Sequence, residues 1–449
     1  MIKIRNQKLY ERYTEFLKAS LSLLSEFLKK GERIPEVVYD YFEPHDGGWN
    51  GTYIREKSFS EFIKRHEDDI VGLSEFIFLI ELMVKDVSLM DELHGILIDE
   101  KEPIILSNIE TAFLGNWIMP IIECFAERSQ SFVFNDRLCD ELYKKYEDFF
   151  YVPERDLNPT APLHNFKSEL EVIKLDKNLK IRKIHDKEQK QLWLKNFSII
   201  PKFEIPLIKF VLDAQYQVKE HRRDEMSYIK ELFDRVISAM RLFKKGTFGY
   251  NRITTKIYWA CPISKASMSS GINYYEPFHG AQYELSKDEA EDLVKFWEMF
   301  KEVDFKKYGF IDLAIRRFNL AHVRKELEDK LIDLMIAFEA LYLLRTEDEL
   351  GFKLATRAAF ILGKDKGKSE KEKIYNFLKK AYRIRSGIVH GNKHLEKNIK
   401  LSDDEEISVQ NFVLQLEDYL RQSIIHFVNL SMNYEMKEIS QYLDRIMFS

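Results

Sequence analysis

The sequence predicts a mainly α chain: a helical region over residues 1–155, an α+β region over 165–302, and an antiparallel helical bundle over 304–449. Three observations predict it. Apolar residues recur at helical spacing through the first and last thirds. Alternation of β-branched and aromatic residues is confined to the middle. A proline-rich stretch over 151–162 has few periodic apolar positions and reads as a linker between the first two regions. A length of 449 residues suits two or three domains with buried cores.

The first helix is expected over 10–30. Tyr13, Phe16, Leu17, Leu21, Leu24, Phe27 and Leu28 fall on one face, and Gly31 follows as a favoured residue past a helix end. Residues 43–51, rich in Pro and Gly, read as a loop. Ser58 and Glu61 have the spacing of a capping box that opens the next helix. The apolar run 76–84 is interrupted by Glu81 and is too short to span a bilayer.

In the middle region, 170–175, 179–184 and 253–259 alternate as strands do. Helices at 226–245, stopped by Gly246, and at 286–301, opened by Ser286 and Glu289, make this segment α/β or α+β. The last third reads as four helices: one from Arg316 or earlier to Leu344, one over 352–362, one from a Ser369–Glu372 box to His390, and one from a Ser402–Glu405 box to about Met432.

Composition narrows the function classes. Apolar residues make up 45% and charged residues 32% of the chain, which fits a globular protein outside a membrane. The first eight residues lack the apolar core of a secretory signal. Cys124, Cys139 and Cys261 lack paired spacing, so neither a disulfide framework nor a structural zinc site is expected. A cytoplasmic protein follows. The formal net charge of −5 places any nucleic-acid contact on a local basic patch. Residues 364–385 supply one, with nine Lys or Arg against three acids.

That basic run leads into Arg385, which four intervening residues separate from His390, with Gly391 next. A guanidinium offers a planar fork of donors matched to phosphate oxygens, and an imidazole exchanges protons near neutral pH. Positions five apart on a regular helix point about 140° away from each other. Arg385 and His390 would therefore converge only if the helix loosens after Gly387, or if one of the two comes from a second subunit.

Two competing patterns fail on spacing. Gly363 to Ser369 looks like a phosphate-binding P-loop, but three residues rather than four lie between its glycines. His390 and His394 have the spacing of helical zinc ligands, but Gly391 and Asn392 break the helix between them. No metal site is expected there. Polar loop residues Glu43, His45, Asp46, Glu276 and His279 read as loop supports, and Cys261 has no evident His partner.

Three pieces in order resemble the HEPN domains, specifically the Apea-like group: 331–341 with an embedded Glu339, 354–359 with Arg357, and 382–391 with Arg385 and His390. The resemblance covers the last third only. It implies an all-helical bundle that pairs face to face as a homodimer, joining two Arg–His motifs in one cleft. Many members are metal-independent ribonucleases, and others bind or scaffold. Many carry Asn, Asp or His after the motif arginine, where this chain has Ser386.

On that reading Arg385 and His390 are catalytic. RNA is cut by attack of its own 2′-hydroxyl on the adjacent phosphate, with His390 as general base or acid and Arg385 on the developing charge. The chemistry calls for no metal and no cofactor, and DNA lacks the nucleophile. Ser386, Glu339, Arg357 and Asn392 are supporting candidates, and Lys379, Lys380 and Arg383 are candidates for RNA contact. Glu339 falls among Ile332, Met335 and Leu343 on the helical wheel and needs a partner, either Arg385 or Arg357. The N-terminal two-thirds would sense an unidentified trigger or position the substrate. A role in phage defence or as a toxin is what the resemblance implies.

Overall fold

The structure, a computed structural model, describes residues 4–45, 48–85, 118–151, 155–185, 188, 208–218, 225–254, 267–268, 281–391, 395–402 and 405–446. It is mainly α-helical, with shorter strands concentrated between residues 155 and 285. The chain packs as two compact units. One comprises Met1–Leu163, Asn178–Lys230 and Asn251–Ser270, the other His164–Lys177, Glu231–Tyr250 and Gly271–Ser449. The segment expected as a separate middle region contributes to both.

In the first unit, α1 (Gln7–Lys29) buries Leu9, Tyr13, Phe16, Leu17, Leu21 and Leu24, positions three and four apart that form one stripe. Its Asn6 cap accepts from the Leu9 amide at 3.0 Å. Glu147, fully buried, accepts from the amides of Arg5 and Asn6 at 2.8 Å each, so a carboxylate fixes the start of the helix where backbone donors are free. The stripe packs with side chains of α2 (Phe59–Arg65), α3 (Glu67–Val71), α4 (Ser74–Lys85), α5 (Met119–Ser129) and α6 (Asp136–Tyr151) into one core.

Two expectations fail in this unit. Residues 43–45 and 48–51 are not loop but strand, in β1 (Glu36–His45) and β2 (Gly48–Lys57), which pair in antiparallel register. Nor is 151–162 a linker: it holds β3 (Arg155–Leu157) and β4 (Thr160–Leu163). Ala161 and Leu163 are fully buried, and that burial outweighs the local proline content. β4 pairs antiparallel with β8 (Phe210–Ala214), which pairs in turn with β7 (Leu179–Lys183). β10 (Ile253–Thr254) joins the other side of β4 and carries β11 (Ser267–Met268). The expected strand at 253–259 is described for its first two residues only. β3 pairs separately with β9 (Tyr216–Val218).

The second unit holds β5 (Phe166–Ser168) parallel to β12 (Tyr283–Leu285), β6 (Val172–Lys174), and most of α7 (Glu225–Phe243). The expected capping box forms on α8 (Lys287–Lys301): the Glu289 amide donates to the Ser286 hydroxyl, and the Ser286 amide to the Glu289 carboxylate. The single helix expected up to Leu344 is two, α9 (Gly309–Val323) and α10 (Leu327–Tyr342), parted at Arg324–Glu326. Across the break the buried Asp333 accepts from Arg317 at 2.8 Å and from Arg324 at 2.7 Å. One carboxylate thus pins the end of α9 to α10.

α10 is the centre of this part. It packs on α9, on α11 (Leu350–Leu362), on α12 (Lys368–Val389) and on α13 (Val409–Ser431). α14 (Met436–Arg445) packs on α13. The Ser369 box is not used, because α12 begins one residue earlier behind Gly367 with no side-chain cap. The Ser402 box is not used either. There β13 (Asn398–Lys400) pairs antiparallel with β14 (Glu406–Ser408), and Ser408 caps α13 by accepting from the Asn411 amide.

Arginines recur at helix C-termini, where carbonyls lack partners. Arg235 donates to the carbonyls of Phe300 and Lys301 in the last turn of α8 and of Val303 just past it. Arg421 donates to Leu242 at the end of α7, and Arg357 to Tyr342 at the end of α10. Among the described residues no helix is long and apolar enough to cross a membrane.

Candidate functional site

α12 carries the sequence-predicted motif. Its inner face buries Ile374, Phe377, Leu378 and Ala381. Lys379 and Arg383 are exposed and Lys380 is half-buried, so the three candidates for RNA contact lie toward the outside of the helix. Lys364 and Lys366, just before it, and Lys368 at its start are exposed as well.

The helix stays regular through Gly387 and ends at Val389. His390 is its C-cap, with its amide donating to the Ser386 carbonyl at 3.1 Å, and Gly391 follows at φ +69°. A left-handed residue there is what glycine supplies without steric cost. A loosening after Gly387 is therefore not how this helix ends. Arg385 and His390 point about 140° apart on it. His390 is exposed, whereas Arg385 leans toward α10.

There the Arg385 Nη2 meets the Glu339 Oε2 at 3.4 Å, with each side chain 24% exposed. Burial pushes the Glu339 carboxyl up from its usual range, and the nearby guanidinium only partly opposes this. The contact is long and single. Glu339 Oε1 and Arg385 Nε are both buried without a hydrogen-bond partner, so the pair engages one donor of the guanidinium fork and leaves its others unpaired. Of the two partners the sequence allowed for Glu339, the structure selects Arg385.

Arg357 serves a different purpose. It is 3% exposed and donates to the Tyr342 carbonyl at 2.5 Å, the Thr346 hydroxyl at 3.0 Å and Asp444 at 2.6 Å. Those bonds tie α11 to the end of α10 and to α14. Ser386 is half-buried on α12. Asn392 and His394 lie outside the described residues, as do Asp46, Cys261, Glu276 and His279. The segment Gly363–Ser369 follows α11 rather than a strand, so the strand a P-loop requires is not there.

No family model, curated protein or solved structure matches this chain. Its chemistry is read from the side chains themselves. Among the described residues no cluster of His, Cys, Asp and Glu could hold a metal ion.

Two features escaped the sequence. Tyr382 stands beside the Glu339–Arg385 pair. Burial, and then Glu339, push its hydroxyl up, against Arg385. Its ring packs so closely on Gly351 that a Cβ at that position would sit 2.8 Å from it. The tyrosine four positions before Ser386 was the available signal. The second feature is an interior cluster. His322 Nδ1 lies 2.9 Å from the Phe318 carbonyl and Nε2 lies 3.4 Å from Glu417, whose other oxygen meets Lys330 at 2.6 Å. Burial drives His322 down to about 4. Burial alone would raise Glu417, but His322, Lys330 and Arg241 outweigh it and hold the carboxyl low. No local pattern links residues 322, 330 and 417; only helix packing does.

Proposed function

We propose that the chain is a metal-independent endoribonuclease of the HEPN type, with Arg385 and His390 as its catalytic residues. The observation that carries this reading is the guanidinium of Arg385, held by one long contact to Glu339 and otherwise uncommitted, on the helix that ends in an exposed His390. The basic approach from Lys364 to Arg383 supports a polyanionic substrate.

The 140° between the two motif residues supports a site shared by two copies of the chain, Arg385 of one facing His390 of the other. In that site His390 takes the proton of the RNA 2′-hydroxyl. The freed oxygen attacks the adjacent phosphorus, and the P–O5′ bond breaks to leave a 2′,3′-cyclic phosphate and a 5′-hydroxyl, the latter protonated by the second imidazole or by water. Arg385 stabilises the charge that develops on the non-bridging oxygens. RNA and a second copy of the chain are the partners. The regions before residue 304 would respond to a trigger, in the defence or toxin setting that the HEPN resemblance implies.

The test is incubation of purified protein with labelled RNA in chelator, beside His390→Ala and Arg385→Ala. Loss of cleavage in both variants is expected, and equal cleavage in all three overturns the catalytic reading. Light scattering at micromolar concentration tests the shared site, and a strict monomer overturns it. A second reading, a non-catalytic helical interaction module, is favoured by the Arg385–Glu339 ion pair itself and by Ser386 in place of the usual Asn, Asp or His. It requires Arg385→Ala to lower stability or self-association while no variant turns over RNA.

A further inference from the structure

Tyr375, Lys379, Tyr382 and Ser386 are spaced by four, three and four along α12, so they form one stripe within about 60° of one another. His390, at the end of the same helix, continues it. The stripe spans about 16 Å from Tyr375 to Ser386. Across from it α11 supplies Gly351, against which the Tyr382 ring lies, and then Phe352. The Phe352 ring stands edge-on to Tyr375, centroids 6.2 Å apart and planes at 77°. Phe352 is 52% exposed, a large apolar ring left facing water. The Lys379 ammonium sits 5.3 Å over the Tyr375 ring.

Aromatic faces alternating with cations are the equipment of a single-strand binding surface. Bases stack on the rings whatever their identity, while the cations follow the phosphates. A double helix buries its base faces and has nothing to offer Phe352.

We infer that Phe352 and Tyr375 form a base-stacking subsite, which with Lys379 and Tyr382 guides an unpaired stretch of RNA along α12 toward Ser386 and His390. The inference rests on the ribonuclease reading for its ligand class. It adds a specificity for unpaired nucleotides and places it about three helical turns before the proposed chemistry.

The test uses the full chain and a fluorescent, unpaired 2′-O-methyl oligonucleotide, which lacks the attacking hydroxyl and separates binding from cutting. A duplex of the same backbone and phosphate number is the control. Phe352→Leu and Tyr375→Leu keep apolar volume and lose the ring. Each is expected to weaken single-strand binding about ten-fold or more and to leave duplex binding and its salt dependence unchanged. Lys379→Gln is expected to weaken both ligands and to lower the salt slope by about one.

Unchanged single-strand affinity in Phe352→Leu, equal loss on the duplex, or a shift in self-association without loss of RNA affinity each overturns the subsite. The last outcome makes the surface a protein contact. Because Phe352 is exposed, its variant remains a valid test if Tyr375→Leu unfolds. Cleavage of unmodified RNA by wild type and Arg385→Ala is run in parallel. Cleavage that requires Arg385, with no effect of Phe352→Leu on binding, removes the subsite alone. Ring-dependent binding without cleavage removes the catalytic reading alone. No RNA binding by wild type removes both.

Discussion

Glu339 and Arg385, on α10 and α12, share a 3.4 Å contact in which a desolvated carboxyl faces a guanidinium that has donors to spare. Burial raises the Glu339 carboxyl above its unfolded value of about 4.3, so the folded chain holds that proton more tightly than the unfolded chain. Its contribution to stability is greatest below the unfolded value and is lost as pH rises through the folded one. Glu339→Gln removes this loss. The unfolding midpoint of the variant is expected to gain on wild type between pH 4 and neutrality, read by thermal melts across that range. A gap that stays constant with pH contradicts the assignment.

Arg357 and Asp444 give an asymmetric pair. Arg357 is 3% exposed and holds three acceptors, whereas the Asp444 side chain is 65% exposed. Removing the arginine strands the Tyr342 carbonyl and opens a buried space, a loss of about 2–4 kcal/mol. Asp444→Asn costs under about 1 kcal/mol. Urea unfolding of the two variants checks the ranking, and similar losses would contradict it.

The buried His322 acts in the opposite sense to Glu339. It faces Glu417, Lys330 and Arg241 as charged groups and the Phe318 carbonyl as a neutral one. Its folded value of about 4 lies below the unfolded 6.5. The stabilisation it confers is complete above pH 6.5 and declines as pH falls toward 4. Wild type is expected to lose on the order of 2 kcal/mol more than His322→Gln between pH 7 and pH 4.5. Equal slopes in the two proteins would place the buried proton elsewhere.

Gly351→Ala tests the seat of Tyr382. Alanine is the better helix former by up to about 1 kcal/mol, yet its Cβ would sit 2.8 Å from the Tyr382 ring. Displacing that ring costs about 1–3 kcal/mol. A net loss of stability is therefore expected in urea unfolding, together with weaker single-strand RNA binding. A stabilised variant with unchanged binding would show that the ring moves freely and does not order the stripe.

Helix identity was legible because it is local. The apolar stripes of α1, α7, α8 and α12 repeat every three or four residues, and Gly31 and Gly391 mark the ends where a positive φ is needed. Capping signals were less legible. The Ser286 box formed, while Ser369 and Ser402 did not become caps. A four-residue pattern does not register that β13 and β14 claim the chain up to Ser408, with Ile399 buried at their centre. The break between α9 and α10 has no Pro or Gly to announce it. It is held by Asp333 bonding both Arg317 and Arg324.

The sequence by itself determined the mainly helical character, the bounds of α1, α7, α8, α11 and α12 to within a few residues, and the placement of Arg385 and His390 five positions apart at the end of one of them. Those properties depend on backbone periodicity and on bonds that span at most a turn. The tertiary structure alone decided that Glu339 pairs with Arg385 while Arg357 ties three helices together, and that Phe352 stands beside Tyr375. The choice between two arginines depends on which helix faces α10 and on which buried carbonyls need a donor. Both are set by packing between residues far apart in the chain, where no local spacing carries the information.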